Sequence, residues 1–253
     1  MALNDAIERA ALALTDARHV LVLSGAGMSA ESGIPTFREA QTGLWARFPP
    51  QDLATPEAFA GNPERVWQWY RWRRTLIARG GVNPGHVALA ALGRHISLSI
   101  ATQNVDGLHA AAGSSRVAEL HGSIWRERCT ACDDETLQPV AEADEDAPLP
   151  ACARCGAMTR PAVVWFGEML PMTALERAQR LLAAADRVLV VGTSNQVYPA
   201  ATLVEQAVAG SAIVIEINTE KTAISKKADI KIAQSASSAL PAIAARVARL
   251  MIN

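Results

Sequence analysis

Four short apolar runs most constrain the fold of this 253-residue chain, because each is followed directly by small polar residues. The runs occupy residues 19–23, 96–100, 187–191 and 212–217. Their length and composition are typical of strands buried on both faces of a parallel sheet. Helical patterns alternate with them, over residues 4–16, 173–185 and 199–209. This alternation predicts an α/β fold with a Rossmann-like, doubly wound sheet, whose ligand site lies at the carboxyl ends of the strands.

Composition excludes several classes of protein. Half of the residues are apolar and 19% are charged, which is typical of a folded globular chain. The apolar runs are too short for a membrane-spanning helix, and a net charge of −1 disfavours a nucleic-acid binder. Asp5, Glu8 and Arg9 give the first residues no likeness to a secretory leader. We therefore expect a cytoplasmic monomer that binds neither nucleic acid nor membrane.

Two segments interrupt the alternation of strands and helices. Residues 39–85 hold four of the six tryptophans, and the Asn62-Pro63 cap predicts a helix over 63–79. Residues 124–160 hold all four cysteines and an acidic run over 133–146, which is expected to be a solvated loop. We predict that the two insertions form a small domain, and that the Rossmann-like domain comprises residues 1–38, 86–123 and 161–253.

The first strand leads into Gly25-Ala26-Gly27-Met28-Ser29-Ala30, which matches the spacing of dinucleotide-binding loops. Glycines let the backbone approach a pyrophosphate, and a helix that follows offers free N–H groups. A dehydrogenase would also carry a carboxylate at the end of a second strand about 20 residues later. The sequence there, around Pro49-Pro50, is not a strand. The loop therefore favours a dinucleotide and disfavours an ordinary NAD oxidoreductase.

The cysteines follow a C-x2-C-x19-C-x2-C pattern. Two such pairs complete a tetrahedral thiolate shell around zinc and leave no open position for water. The pattern predicts one structural zinc ion in a zinc ribbon, with an iron–sulfur centre as the less favoured alternative. The predicted ligands are Cys129, Cys132, Cys152 and Cys155.

Several further motifs occur in a fixed order along residues 19–240. They are Gly25 to Arg38 (GAGMSAESGIPTFR), Thr102 to His109 (TQNVDGLH), His121-Gly122, the cysteine quartet, Gly192-Thr193-Ser194 and Asn218-Thr219-Glu220. Together they resemble the sirtuin family of NAD-dependent protein lysine deacylases. The resemblance implies a Rossmann-like domain with a zinc-ribbon domain, NAD as co-substrate, and acyl-lysine proteins or peptides as substrates.

The resemblance also implies a reaction and its base. In the family, the acyl-lysine carbonyl oxygen displaces nicotinamide from the ribose, and a ribose hydroxyl then attacks the resulting imidate. His121 would accept the proton of that hydroxyl, since histidine titrates in a suitable range. The products would be nicotinamide and O-acyl-ADP-ribose. The other histidines, His19, His86, His95 and His109, are expected to be structural.

The resemblance assigns contacts with NAD to residues of every strand end. The pyrophosphate loop would comprise Gly25, Ala26, Gly27 and Ser29. The nicotinamide pocket and its loop would include Ile34, Pro35, Phe37, Arg38 and Asp106. Gln103 and Asn104 would bind the nicotinamide ribose. The phosphate and adenosine would contact Gly192, Thr193, Ser194, Asn218, Thr219 and Glu220, with Ala236 near the adenine.

Residues of the insertions and of a late segment are candidates for substrate binding. Tyr70 and Arg73 share one face of the predicted helix and would form a fork for a carboxylate. Composition alone favours a solvated helix surface instead, but Ala54, Tyr70 and Arg73 are similar to the sirtuin subgroup that removes succinyl, malonyl and glutaryl groups. The peptide would pair with a strand over 166–168. The candidates for contact with it are Val164, Phe166, Gly167, Glu168 and Val197.

Alternative functions remain open from the sequence. The chain could be a general lysine deacetylase without preference for acidic acyl groups, or a mono-ADP-ribosyltransferase that uses the same activated sugar. A non-catalytic NAD-sensing zinc-ribbon adaptor is the alternative outside enzymes. The combination of Asn104, Asp106 and His121 disfavours this last alternative, because a binding module needs no positioned base.

Overall fold

The computed structural model describes residues 3–35 and 52–252. In this part of the chain the strands are β1 Val20–Ser24, β2 Leu98–Thr102, β3 Val117–Glu119, β4 Gly122–Cys129, β5 Glu135–Leu137, β6 Thr159–Val163, β7 Arg187–Val191, β8 Ile213–Ile217 and β9 Ile230–Ile232. The α-helices are α1 Leu3–Thr15, α2 Pro56–Gly61, α3 Pro63–Gly80, α4 Pro84–Leu92, α5 Leu108–Ala111, α6 Met172–Ala184, α7 Ala200–Ala209 and α8 Ala236–Leu250. No helix of these residues is long and apolar enough to span a membrane.

Six strands form one parallel sheet in the order β3-β2-β1-β7-β8-β9. Numbered by their succession within this sheet, the order is 3-2-1-4-5-6, which is the doubly wound Rossmann arrangement. The winding reverses between β1 and β7. Ser24 pairs with Thr102 on one side and with Val191 on the other, so these three strands end level with one another. The predicted Rossmann-like sheet is confirmed, and its switch point lies where the glycine loop leaves β1.

Successive side chains of β1 point to opposite faces of the sheet and therefore pack in two separate cores. Val20 and Val22 pack in a core shared with α1, α4 and α8. Leu21 and Leu23 pack on the other face of the sheet with α6 and α7. Because helices cover both faces, the central strands are mainly apolar, with Ser99 of β2 and Glu216 of β8 as buried polar exceptions.

A second, antiparallel sheet has the order β5-β4-β6. Helix α3 packs against it, and a third core joins Trp67 and Tyr70 of the helix to Ile124, Trp125 and Trp165. The sheet ends at the cysteines and carries the segment that follows β6 past the carboxyl edge of the parallel sheet. The division of the chain into two domains at the boundaries given above remains a prediction.

The predicted helices and long strands agree with the structure to within two residues at each end, and the predicted helix over 63–79 corresponds to α3. The expected α-helix after the glycine loop is wrong within residues 26–35. Two 3₁₀ turns, Ala26–Met28 and Ala30–Ser32, replace it, and Gly33 then adopts φ +74°. Strands β3 and β9 were not predicted, because three residues are too few to show the alternating pattern of a strand.

The basic side of α3 is buried rather than solvated, which corrects the expectation from composition. Arg71 donates to the carbonyl oxygens of Ala147 and Pro148, and Arg74 forms an ion pair of 3.1 Å with Glu127. The acidic run therefore leads into a loop that is docked on α3, although most of its carboxylates are exposed. In the docked loop Arg71 hydrogen-bonds the backbone carbonyl groups of Ala147 and Pro148, whereas water would hydrogen-bond them in a free loop.

Candidate active site and metal centre

The loops after β1 and β7 touch at the switch point of the sheet. A Cβ on Gly25 would lie 2.7 Å from Thr193 Cβ, and one on Gly27 would lie 2.8 Å from Gly192 Cα. The N–H groups of Gly25 and Gly27 donate to the carbonyl oxygens of Val191 and Gly192. These two N–H groups are therefore engaged within the protein. The predicted contact of Gly25, Ala26 and Gly27 with the pyrophosphate stays a prediction.

Gly192→Ala tests this close approach. Gly192 has φ +59°, and a Cβ there would lie 2.3 Å from the Met28 nitrogen. We expect the free energy of unfolding, measured with denaturant, to fall by about 2–5 kcal/mol from backbone strain and overpacking. Gly33→Ala is the matched control, since Gly33 has φ +74° and nothing within 4 Å of its Cβ position. The control should lose about 1–2 kcal/mol; equal losses in the two variants would contradict the contact.

A buried polar group joins the loops after β1 and β2. Ser29 Oγ donates to Asp106 Oδ2 at 2.7 Å and accepts from Asn104 Nδ2 at 3.1 Å. The second carboxylate oxygen, Asp106 Oδ1, accepts from the Leu108 N–H group at 2.9 Å. The structure thus brings together three residues that the sequence analysis assigned to NAD, and it fixes their side chains before any ligand arrives.

Two buried histidines lie beneath this group. Their rings stand edge to face, with centroids 5.0 Å apart. His86 Nε2 lies 3.4 Å from Ser29 Oγ, and His109 Nε2 lies 2.9 Å from Ser24 Oγ. Burial lowers the pKa of both, with the neighbouring His86 lowering that of His109 further, to about 3. Both rings are therefore neutral members of the internal network, which agrees with the structural role expected for them.

His121 lies between the parallel sheet and β4. Its Nδ1 is 2.9 Å from the Gln103 carbonyl oxygen, which can only accept a hydrogen bond. Nδ1 therefore carries the proton and Nε2 is left with a lone pair. Burial, partly opposed by that hydrogen bond, lowers the pKa of His121. The ring is thus held neutral, in one tautomer and with one basic nitrogen available.

Gly122 directly follows His121 and has no room for a side chain. Gly122 adopts φ +76°, and a Cβ there would lie 2.1 Å from the Ala162 carbonyl oxygen. The sharp turn lets the His121 carbonyl accept from the Val164 N–H group at 2.9 Å. The His-Gly pair therefore anchors the base to the segment that follows β6.

The ends of β7 and β8 are linked through Thr193. Its Oγ1 accepts from Gln103 Nε2 at 3.2 Å, and its carbonyl oxygen accepts from Asn218 Nδ2 at 3.0 Å. Asn218 Oδ1 in turn accepts from the Glu220 N–H group at 3.2 Å. Three predicted NAD contacts from three different strands therefore converge on one edge of the sheet.

Asn195 is a candidate site residue that the sequence analysis did not assign to NAD. It adopts φ +58° and is buried, yet its amide oxygen and nitrogen have no hydrogen-bond partner within the described ranges 3–35 and 52–252. Buried amides are nearly always satisfied, so an orphan at the carboxyl edge of the sheet fits a polar ligand such as a nucleotide. Its position directly after Gly192-Thr193-Ser194 is the signal that could have identified it.

Tyr70 and Arg73 lie side by side on one face of α3, as predicted from their spacing. The Arg73 guanidinium carbon lies 4.9 Å from the Trp69 ring centroid and 5.8 Å from that of Tyr70. Tyr70 Oη accepts from Trp165 Nε1 at 2.8 Å. Burial raises the pKa of Tyr70 to about 12, against the opposing effect of Arg73, so the phenol keeps its proton.

Arg73 has an unusual environment for a cation. Burial lowers its pKa, while Tyr70 and Asp106 raise it. No carboxylate of the described residues lies within ion-pair distance of its guanidinium group. Partly buried charges normally have a partner, so Arg73 is an unmatched positive charge among the described residues.

The segment expected to pair with a peptide is not a strand over 166–168. Phe166 and Gly167 form a turn, with φ +87° at Gly167. The Glu168 N–H group donates a hydrogen bond to the Trp165 carbonyl oxygen. Glu168 binds Arg160 through both carboxylate oxygens, at 2.5 and 2.9 Å, so its side chain is already engaged. The turn arises because glycine readily adopts a positive φ at that position.

Other predicted contacts lie around the same edge. Ile34 and Ala54 pack against the third core, and the Ala54 carbonyl accepts from the Phe166 N–H group at 2.9 Å. Ala236 instead packs inside the main core, 4% exposed, so its methyl group does not face the cleft. Exposed or partly exposed positions hold Pro35, Val164, Ser194, Val197 and Thr219. Phe37 and Arg38 lie outside the described residues.

The four cysteines form one cluster at the end of the antiparallel sheet. Their sulfur atoms all lie within 4.8 Å of one another. The Cys129–Cys155 and Cys132–Cys152 sulfur distances are 3.4 and 3.8 Å. A tetrahedral zinc–thiolate shell with bonds of about 2.3 Å places its sulfurs about 3.8 Å apart. The N–H groups of Ala131 and Cys132 point at Cys129 Sγ and lower its pKa to about 6. The cluster is therefore positioned to bind a single zinc ion, as predicted.

Comparison with known proteins identifies the family. A model of the Sir2 family matches residues 25–199, which is more than half of the chain. The chain belongs to the Sir2 family. This finding confirms the resemblance seen in the motifs.

Relatives with established names cover nearly all of the chain. An "NAD-dependent protein deacylase 2" of Pyrobaculum aerophilum is 48% identical over 239 residues, with coverage of 93% of this chain and 94% of the relative. An "NAD-dependent protein deacylase" of Ralstonia nicotianae is 50% identical over 233 residues, covering 90% and 92%. The similarity therefore extends over nearly the whole length of this chain and of both relatives.

Solved structures match equally broadly. A Sir2 homologue in complex with NAD is 41% identical, with a TM-score of 0.90 and coverage of 96% of this chain and 94% of that one. A Sir2 protein bound to a myristoylated histone peptide is 33% identical, with a TM-score of 0.79 and coverage of 98% and 99%. The fold of this Sir2-family protein is thus shared over its full described length.

Proposed function

We propose that this Sir2-family protein is an NAD-dependent protein lysine deacylase that prefers succinyl- and malonyl-lysine to acetyl-lysine. The deacylase activity is supported by relatives about 50% identical that carry that name. NAD is supported as co-substrate by the complex of a 41% identical homologue. The preference for acidic acyl groups is the finer part of the proposal and is argued from the pocket itself.

NAD would lie across the switch point, between the loops that end β1, β2, β7 and β8. Asp106 and Asn104 are already oriented by Ser29, so they would meet the nicotinamide and its ribose without reorganisation. Thr193, Asn195 and Asn218 would take the phosphate and adenosine end. The bound NAD supplies an activated sugar carbon and a nicotinamide leaving group.

His121 would act as the general base of the proposed reaction. Its Nδ1–H bond to the Gln103 carbonyl leaves Nε2 as the only atom that can accept a proton. The lowered pKa keeps the ring neutral at pH 7, and a neutral imidazole is the form that can remove a proton from a ribose hydroxyl. The same hydrogen bond would stabilise the imidazolium after proton transfer, since the carbonyl oxygen faces the charged ring.

The unmatched charge of Arg73 carries the proposal on the acyl group. A succinyl or malonyl group ends in a carboxylate, which would supply the partner that no described residue gives this guanidinium. Tyr70 lies beside it with a protonated hydroxyl group, and the small side chain of Ala54 leaves room in the same pocket for a longer acyl chain. An acetyl group would leave the charge unpaired and would be removed less efficiently.

A mass-spectrometric assay of one peptide sequence carrying acetyl-, succinyl- or malonyl-lysine tests the function. With NAD and the intact protein, we expect nicotinamide, O-acyl-ADP-ribose and free lysine from all three, with kcat/KM for succinyl at least about tenfold above that for acetyl. Higher kcat/KM for acetyl would contradict the preference and indicate a general deacetylase. ADP-ribosylated peptide instead of free lysine would contradict the deacylase activity.

A further inference from the structure

The contact between Trp165 and Tyr70 couples the end of the second sheet to the acyl pocket. Trp165 Nε1 lies 2.8 Å from Tyr70 Oη, and both side chains are almost completely buried, at 3% and 2% exposure. An indole N–H group can only donate a hydrogen bond, so the phenol oxygen must accept here. The direction of this hydrogen bond is therefore fixed by the chemistry of the two side chains.

Because Tyr70 Oη accepts this hydrogen bond, the hydrogen of its own hydroxyl group must point toward a different acceptor. Within the described part of the chain, no group accepts a hydrogen bond from Tyr70 Oη. The Tyr70 ring centroid is 5.8 Å from the Arg73 guanidinium carbon, in the pocket where an acyl carboxylate would bind. The hydroxyl group is thus set to donate to an anion held beside Arg73.

Trp165 is itself held from several sides. The Arg160 guanidinium carbon lies 3.4 Å above its ring centroid, and Phe59 packs on it with ring centroids 5.3 Å apart. Its backbone N–H group donates to Glu168 Oε2 at 2.8 Å, and that carboxylate is paired with Arg160. A cation over the ring draws electron density from the indole and strengthens its N–H group as a donor.

We propose that Trp165 is a specificity-determining positioning residue, whose indole N–H group fixes Tyr70 as a hydrogen-bond donor to acidic acyl groups. This inference rests on the proposed preference for succinyl- and malonyl-lysine. An acetyl group offers no carboxylate to this donor, so the contribution of Trp165 is confined to acidic acyl substrates.

Tyr70→Phe, Trp165→Phe and the double variant test the proposal. Tyr70→Phe removes only the hydroxyl group, whereas Trp165→Phe removes the indole N–H group and keeps a smaller aromatic ring against Phe59 and Arg160. With succinyl-lysine peptide, we expect each single variant to raise KM by about 3- to 10-fold with little change in kcat. The double variant should lose no more than Tyr70→Phe alone, since the two groups act through one hydrogen bond. The ratio of kcat/KM for succinyl-lysine to kcat/KM for acetyl-lysine should fall in all three variants, and their thermal unfolding midpoints report correct folding.

A measurement on the unaltered protein complements the variants. The assigned indole N–H resonance of Trp165 should shift when succinyl-lysine peptide is added and stay in place with acetyl-lysine peptide. Equal effects of Trp165→Phe on both substrates, additive losses in the double variant, or an unmoved resonance would each overturn the inference.

Failure of this inference is distinguishable from failure of the proposed function. If Arg73→Met removes the preference for succinyl and Trp165→Phe does not, the pocket stands and only the role of Trp165 is wrong. If wild-type protein shows no preference for succinyl over acetyl, the proposed acyl selectivity itself has failed.

Discussion

Replacing His121 with alanine is expected to abolish deacylation while NAD still binds. The substitution removes the only basic nitrogen that the Gln103 carbonyl leaves available, and loss of a general base costs about 10²- to 10⁴-fold in rate. NAD should still bind, because the predicted phosphate and adenosine contacts come from other residues, which follow β7 and β8. Product formation is followed by mass spectrometry, and NAD affinity by calorimetry.

His95→Ala is the matched control for this variant. His95 is exposed and precedes β2, at the amino end of the sheet, so the same substitution there should leave turnover unchanged. Full activity of His121→Ala would contradict the assignment of the base. Loss of NAD binding together with activity would instead show that the variant damages the site.

The pH dependence of the wild type provides a second check on His121. Its pKa in the folded protein is lowered below the ordinary histidine value of 6.5, and the neutral ring is the active form. Activity should therefore be constant around neutral pH and decline only as the pH falls through the folded pKa, which lies below 6.5. A decline that begins above pH 7 would indicate a base other than this buried histidine.

Replacing Arg73 with methionine is expected to collapse removal of succinyl and spare removal of acetyl. Methionine keeps the length and apolar contacts of the side chain against Trp69 and Tyr70 but removes the charge. A charge-assisted hydrogen bond contributes about 1.5–3 kcal/mol, so kcat/KM for succinyl-lysine should fall about 10- to 150-fold. The ratio of the two kcat/KM values, taken on one peptide, is the quantity to measure.

Arg79→Met is the control for the acyl pocket. Arg79 lies on the same helix α3, but it is exposed and pairs with Glu142 at 2.7 Å on the surface. Surface ion pairs contribute about 0–1 kcal/mol, so this variant should leave both substrates unaffected. If the protein prefers acetyl-lysine and Arg73→Met does not change that preference, Tyr70 and Arg73 do not bind an acyl carboxylate. They would then be packing residues only.

Local chemistry explains why much of this protein could be predicted from its sequence. The buried strands are mainly apolar because helices cover both sheet faces, so their positions appear directly as apolar runs. The cysteine quartet is visible because its spacing is set by metal geometry rather than by distant parts of the chain. The motif around His121-Gly122 is visible because only glycine fits 2.1 Å from a carbonyl oxygen with φ +76°.

Contacts between segments that are far apart in the sequence could not be predicted from the same patterns. The sequence could not indicate that Gly25 and Gly27 use their N–H groups on the β7 loop, or that Arg71 and Arg74 are buried. Nor could it indicate the turn at Phe166-Gly167, which interrupts an otherwise strand-like run.

Residue type and local spacing were enough to predict the parallel sheet and the four-cysteine cluster, and they indicate His121 as the candidate base. Tertiary structure alone decided the tautomer of His121, the direction of the Trp165–Tyr70 hydrogen bond and the lack of an ion-pair partner for Arg73 among the described residues. These three properties depend on which polar group of a remote segment comes within about 3 Å, and a hydrogen bond is lost when that distance grows by a fraction of an ångström.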